Sequence, residues 1–395
     1  MDTYWLLLLL PIATGSGWYA ATRAFLRQSK IQHWLPSEYF RGLTFLLSDE
    51  PDKALEILVT ALEKDKDTVE VQLALGSLFR KRGEIQRATR VHQNLVARTQ
   101  LDASQKIHAL YELAQDYYKA GLFDRAEHLL LEIGSGHELD ESAKQLLLKI
   151  YEQEKEWRNA IEVAKNLESF REYSLGGIIA HYHCEIAENA LSEGRYDVAG
   201  KYIQLARFID GDCVRGIIQS GRLLAAQGDH RGAISEWVYG ASLHSELPGE
   251  VIGLIHNSYK IINALDEYGN FLSEMLKTRD DNRLVLALTE YLRENEGEEA
   301  AEIFLLTKIR SSPSVSGFHR LIQLRLSKAD GQYSGDLSLL ERLIGSIDDG
   351  DSGYECRHCG FQGKMMHWNC PGCRNWNTTQ IRIRRALTTH KDDVI

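Results

Sequence analysis

Six alanines constrain this chain more than any other feature. Ala54, Ala88, Ala126, Ala160, Ala199 and Ala233 are separated by 34, 38, 34, 39 and 34 residues, and self-similarity at a period near 34 predicts a stack of helix pairs. Twelve residues before each alanine stands a second position on the same helical seam, occupied by Gly42, Gly76, Ala114, Leu148, Ala187 and Gly221. Five of those six are small, so the two helices of a pair can cross closely while bulkier apolar residues fill the stack between pairs. The stretches Arg82 to Ala88, Ala120 to Ala126, Glu193 to Ala199 and Gln227 to Ala233 each begin with a residue followed by glycine, which stops one helix and permits the bend into the next.

This is the tetratricopeptide (TPR) pattern, without the proline that usually closes each unit. Repeats are expected from residue 37 to about 245, followed by two degenerate ones around Tyr259 to Met275 and Leu286 to Ile303, so that the array occupies 37–312. Two further helices are expected within 313–347, and the acidic, glycine-rich stretch 348–353 reads as a linker. Helix A of each unit should line the concave face, which makes Arg80, His108, Tyr111, Gln115, Tyr118, His181 and Glu188 the candidate partner contacts, although tyrosines at helical spacing are as readily core. His181, His183 and Cys184 look like metal ligands, but His183 lies four residues before Ala187, where helix A puts a large core side chain. Cys184 and Cys213 read as small buried hydrophobes.

The N-terminus opens with an apolar run of 18 residues from Tyr4 to Ala21, about 27 Å as a helix, which nearly matches a bilayer core. Tyr4, Trp5, Trp18 and Tyr19 sit where interfacial belts belong. Arg23, Arg27 and Lys30 follow the run instead of preceding it, so an uncleaved anchor is expected over a signal peptide or a buried helix, with everything after Ala21 in the cytoplasm. Ala13, Gly17 and Ala21 form a small-xxx-small stripe on which a second membrane helix could pack, though such residues are common in membrane helices generally. Residues 22–36 form a basic connector. The formal net charge of -10 disfavours broad nucleic-acid binding, which needs basic grooves to displace counterions.

Four of the six cysteines lie within 18 residues, as Cys356-x2-Cys359 and Cys370-x2-Cys373. Paired two-residue gaps form knuckles that each grip one side of a metal, and soft S4 ligation selects zinc or iron. Gly360 and Gly372 are expected to relieve the tight knuckle turns, and Tyr354, Phe361, Trp368 and Trp376 to pack around a module (354–395, with its basic tail) that is too small for an apolar core of its own. Gln380 to Arg385 alternates apolar and basic residues, as a short strand would.

An N-terminal anchor, a TPR array and a C-terminal four-cysteine module, together with the segments Leu78 to Ala88 and Cys356 to Arg374, resemble the lipopolysaccharide assembly protein B family of Gram-negative bacteria. The resemblance implies an all-α TPR solenoid with a transmembrane helix at 1–21 and a small rubredoxin-like or zinc-ribbon module holding one iron or zinc on Cys356, Cys359, Cys370 and Cys373. It implies a non-enzymatic inner-membrane adaptor that helps a membrane AAA protease degrade the lipid A deacetylase and contacts the lipopolysaccharide assembly and transport machinery; homo-oligomer formation is left open. A membrane-tethered electron carrier is the alternative, although Arg374 stands where rubredoxins have glycine.

Overall fold

The computed structural model describes residues 69–381 apart from 169, 171–173, 244–248, 280, 329–333 and 349–352, together with Lys53 and Ile57. The expected anchor with Ala13, Gly17 and Ala21, the connector, the first seam pair Gly42 and Ala54, and the tail beyond Ile381 lie outside the described residues. No helix among the described residues is long and apolar enough to cross a membrane.

The chain divides into two compact units, 1–156 and 157–395. The first contains α1 (Val69–Lys81), α2 (Ile85–Val96), α3 (Ala103–Lys119), α4 (Phe123–Ile133) and α5 (Asp140–Glu154). The second contains α6 (Trp157–Glu168), α7 (Gly176–Ser192), α8 (Tyr196–Ile209), α9 (Val214–Ala226), α10 (His230–Leu243), α11 (Gly249–Ile261), α12 (Leu265–Thr278), α13 (Asn282–Asn295), α14 (Glu298–Ser311), α15 (Val315–Leu326) and α16 (Ser334–Asp348). Three short strands close it: β1 (Tyr354–Cys356), β2 (Gln362–Gly363) and β3 (Thr379–Ile381). Within each unit, helices adjacent in sequence pack on one another, as a helical-repeat solenoid requires.

Ala88, Ala126, Ala160, Ala199 and Ala233 are all fully buried, which is the seam that the period predicts. A left-handed residue stands five positions before each of them: Gly83, Gly121, Lys155, Gly194 and Gly228 all have positive φ. Lys155 takes the glycine's place at φ 59 in the turn that the sequence pattern skipped, and its flanking backbone still bonds to Tyr151 O. The same geometry continues into a degenerate repeat, where Asn263 is left-handed and Tyr268, five residues on, is buried in the alanine's position. The neighbouring Gly269 keeps the crossing close, since a Cβ there would lie 2.4 Å from the Tyr291 ring.

Size is compensated along the seam. Where helix A carries glycine, helix B answers with a ring four residues after its alanine: a Cβ on Gly76 would lie 2.2 Å from His92 Nε2, and one on Gly221 2.3 Å from Trp237 Nε1. Where helix A carries Ala114 or Ala187, the equivalent buried position is Leu130 or Ile203. Close-packed interiors tolerate a change of volume only when a neighbour offsets it, so within each unit a small residue on helix A is matched by a larger one on helix B.

In the first unit a charged network ties α1, α2 and α3 together. Asp116, fully buried, accepts from Arg80 Nη1 at 2.7 Å and lies 2.6 Å from His92 Nδ1, while Arg80 also pairs with Glu112. Burial pulls the Arg80 guanidinium down, but Glu112 and Asp116 outweigh it and its pKa is raised. A buried charge needs such partners. Asp102 caps α3 by accepting from Gln105 N–H at 2.7 Å, with the Gln105 side chain returning the bond in a capping box.

Candidate metal centre and the face it covers

The strand order is β2-β1-β3, with β1 antiparallel to both neighbours. Tyr354 pairs with Gly363 on one side and Ile381 on the other, and Cys356 pairs with Thr379. This small sheet seats the first knuckle, in which Gly360 N–H bonds to Cys356 O at 2.9 Å and Cys356 N–H to Phe361 O at 2.8 Å. The second knuckle repeats the pattern: Arg374 N–H bonds to Cys370 O at 2.8 Å and Cys370 N–H to Asn375 O at 3.0 Å.

The four Sγ atoms all lie within 4.8 Å of one another, with Cys356 to Cys373 and Cys359 to Cys370 both at 3.7 Å. A tetrahedral thiolate site with bonds of about 2.3 Å needs sulfur–sulfur edges of about 3.8 Å, so the residues fit one zinc or iron. Cys356 and Cys370 are buried, whereas Cys359 is exposed. Thr378 Oγ1, 3.2 Å from Cys356 Sγ, is the main influence lowering that thiol to about 6. The Phe361 amide draws Cys359 down, but burial and the neighbouring sulfurs outweigh it and push it up to about 12. Of these two, Cys356 is the readier thiolate.

One expectation about the knuckles is corrected. Gly360 is left-handed at φ 74, but the matching residue of the second knuckle is Arg374, at φ 60, and not Gly372. Gly372 is instead required by close approach, since a Cβ there would stand 3.2 Å from Cys359 Sγ and 3.3 Å from Phe361 Cβ. A second correction concerns the aromatics. Tyr354 is buried and Phe361 packs against His367 within the module, but Trp368 and Trp376 turn outward onto the array. Trp376 stacks on His181 at 5.4 Å between ring centroids and meets Tyr182 and Trp157 edge-on at 5.5 and 6.0 Å. Trp368 lies 5.6 Å from His181 and joins the core around Trp237, Ile255 and Leu272.

His181, expected as a partner contact, is thus covered by this chain's own module. Burial, with the Arg215 charge adding to it, lowers His181 to about 4, so the ring is neutral and stacks as an aromatic. The other expected contacts have partners within the array. Arg80 is committed to Glu112 and Asp116; Gln115 bonds to Glu112 at 3.1 Å; Tyr111, half-buried, is engaged by Ser142; and Tyr118 packs on Phe123. His108 reaches Ser104 O and Glu138 from an exposed position, and Glu188 binds Gln219 at 2.6 Å and Arg222 at 3.3 Å. His183 is buried against Tyr202, as its register required. Cys184 and Cys213 are buried with their sulfurs 3.9 Å apart. Among the described residues the four C-terminal cysteines are the one group arranged to ligate a metal.

Residues 354–380 match the family model described as a rubredoxin metal binding domain. Over 375 residues the chain is 32% identical to the lipopolysaccharide assembly protein B of Escherichia coli strain K12, covering 94% of this chain and 96% of that protein. The protein of the same name from Haemophilus influenzae is 32% identical over 383 residues, with the same coverage of both chains. Among solved structures, a tetratricopeptide repeat protein from Parabacteroides merdae is similar at 14% identity and a TM-score of 0.33 over 65% of this chain and 97% of that one. MamA is similar at 21% identity and a TM-score of 0.33, over 43% and 94%. With nearly its whole length aligned to two such relatives and its metal module matched in register, the chain belongs to the lipopolysaccharide assembly protein B family.

Proposed function

We propose that the protein is a membrane-anchored cytoplasmic scaffold that regulates lipopolysaccharide synthesis by presenting the lipid A deacetylase to a membrane AAA protease, and that it contacts the lipopolysaccharide assembly machinery. The observation that carries this reading is the end-to-end match to relatives named for lipopolysaccharide assembly. The architecture supports it: a solenoid of helix pairs offers long surfaces to other proteins, and the apolar run at the N-terminus would hold those surfaces at a bilayer. A tethered adaptor raises the effective concentration of a substrate near its protease. Losing it slows turnover without abolishing the protease's own activity. His108 and Glu188, which keep exposed polar surface, are the first positions to probe for partner contact.

The metal, zinc or iron, supplies folding free energy to the module when bound. Cys356, Cys359, Cys370 and Cys373 would hold it, and Thr378 orients the Cys356 sulfur. Exposure of Cys359 gives the electron-carrier reading its one specific support, because an electron partner needs a ligand edge it can approach.

The deciding measurement is the half-life of the deacetylase in cells with and without this protein, alongside crosslinking in intact membranes. Deacetylase that persists longer in the depleted cells, and a protease captured by crosslinking, is the expected outcome. An unchanged half-life refutes the adaptor reading, and capture of a reductase by an iron-loaded protein favours the alternative.

A further inference from the structure

Trp368 and Trp376 stand two residues before Cys370 and three after Cys373, on the two arms of a single hairpin. That hairpin is closed by Asn377 N–H to Trp368 O at 2.8 Å and by an antiparallel bridge between Asn369 and Trp376. The sulfurs that would hold the metal therefore fix the spacing of the two indoles. Both indoles contact the ring of His181, and Trp376 also closes over Trp157 and Tyr182. The ligands and the docking contacts are thus two sides of one hairpin.

We propose that metal binding and docking onto α6 and α7 are a single coupled equilibrium, in which His181 is the positioning residue on the array side and metal loss uncovers an aromatic face made of Trp157, His181 and Tyr182. The inference rests on the metal reading of the four cysteines. Metal holds the hairpin in the shape that fits this face, and by reciprocity the docked face holds the hairpin around its metal. A module this small has too little apolar surface to keep that shape alone, so the state without metal is the one that undocks. His181 lies outside the ligand set, which makes it a probe of the coupling and not of coordination.

The test uses the full chain loaded with zinc, with metal release to an excess of chelator followed by a zinc-sensitive dye. Two aromatic contacts of ordinary strength correspond to about a five- to hundredfold change in an equilibrium. His181→Ala should therefore release zinc faster by a factor in that range while far-UV circular dichroism stays unchanged, and His181→Phe, which keeps the stacking, should restore slow release. Hydrogen exchange on the unmutated protein supplies an arm that needs no variant: chelation should speed exchange in α6 and α7 and leave α14 as it was. Equal release rates in all three proteins, or exchange in α6 and α7 that ignores chelation, overturns the coupling. Purified protein that binds neither zinc nor iron overturns the metal reading beneath it.

Discussion

Replacing Gly221 with alanine sets two effects of known sign against each other. In an exposed helix interior the change stabilises by about 1 kcal/mol, because glycine gives up the most backbone freedom on folding. In α9 the new Cβ would lie 2.3 Å from Trp237 Nε1 and 2.5 Å from Cε2, and Trp237, which is 1% exposed, donates its indole N–H to Ile218 O at 3.1 Å. Overpacking costs about 1–3 kcal/mol, and displacing the indole from its buried carbonyl costs about 1–3 more. Net destabilisation of about 1–5 kcal/mol follows once the propensity gain of about 1 is subtracted. Gly253→Ala in α11 is the control, since nothing lies within 4 Å of its Cβ position and it is exposed; it should stabilise by about 1 kcal/mol. A global melting curve is the wrong assay, because repeat arrays need not unfold in one step. Native-state hydrogen exchange in α9 and α10 reads the local opening free energy directly. The double variant Gly221→Ala with Trp237→Leu recreates the size pairing of Ala114 and Leu130, and should be more stable than the sum of the single changes predicts. Loss of protection that is simply additive, or an unchanged Gly221→Ala protein, would refute the size-compensation argument.

Cys356→Ser or Cys370→Ser should abolish metal binding, measured by elemental analysis, and unfold the module, while the helical circular dichroism persists because array units draw stability from their neighbours. Arg374→Gly should stabilise the metal-bound module by about 0.5–1 kcal/mol, since a left-handed non-glycine residue costs about 1–2 kcal/mol and part of that returns as unfolded-state entropy; the check is a higher chelator concentration at half-release. Glu302 is held below the usual carboxylate range first by the hydrogen bond from Arg325 at 2.9 Å and then by Lys328 at 3.2 Å. A depressed carboxyl stabilises fully above its unfolded pKa, about 4.3, and the contribution fades as pH falls through the lower folded value. Glu302→Gln should therefore weaken exchange protection across α14 and α15 by about 0.2–1 kcal/mol at pH 7 and make no difference in acid well below that range; a difference that persists there refutes the linkage.

The solenoid was legible because its determinants are local and periodic. Small residues recurring at one helical register can be read without knowing what they touch, and glycine five residues before a seam alanine marks a turn by its backbone conformation alone. What the pattern missed were turns that reach the same conformation with another residue. Lys155 and Asn263 are left-handed without glycine, and Tyr268 fills a seam position that a search for small residues passes over.

The metal centre divides in the same way. Its ligand set follows from spacing, because two residues between cysteines suffice to build a knuckle whatever surrounds it. The direction of the two tryptophans does not. Seen along the chain, Trp368 and Trp376 flank the second knuckle and have every reason to shield its sulfurs, and His181 is one polar residue on a helix A face. Their meetings span 187 and 195 positions and obey neither the helical period nor the knuckle spacing. One signal was present nonetheless: a module with too few apolar residues for its own core carries two large indoles, and an exposed pair of that size needs a partner surface. Burial of His181 provides the complement, since a neutral imidazole at a position that the solenoid leaves open gains most when aromatic rings cover it. Helical register alone offers that opening to another protein, whereas the fold fills it with the tryptophans of the chain's own C-terminal module.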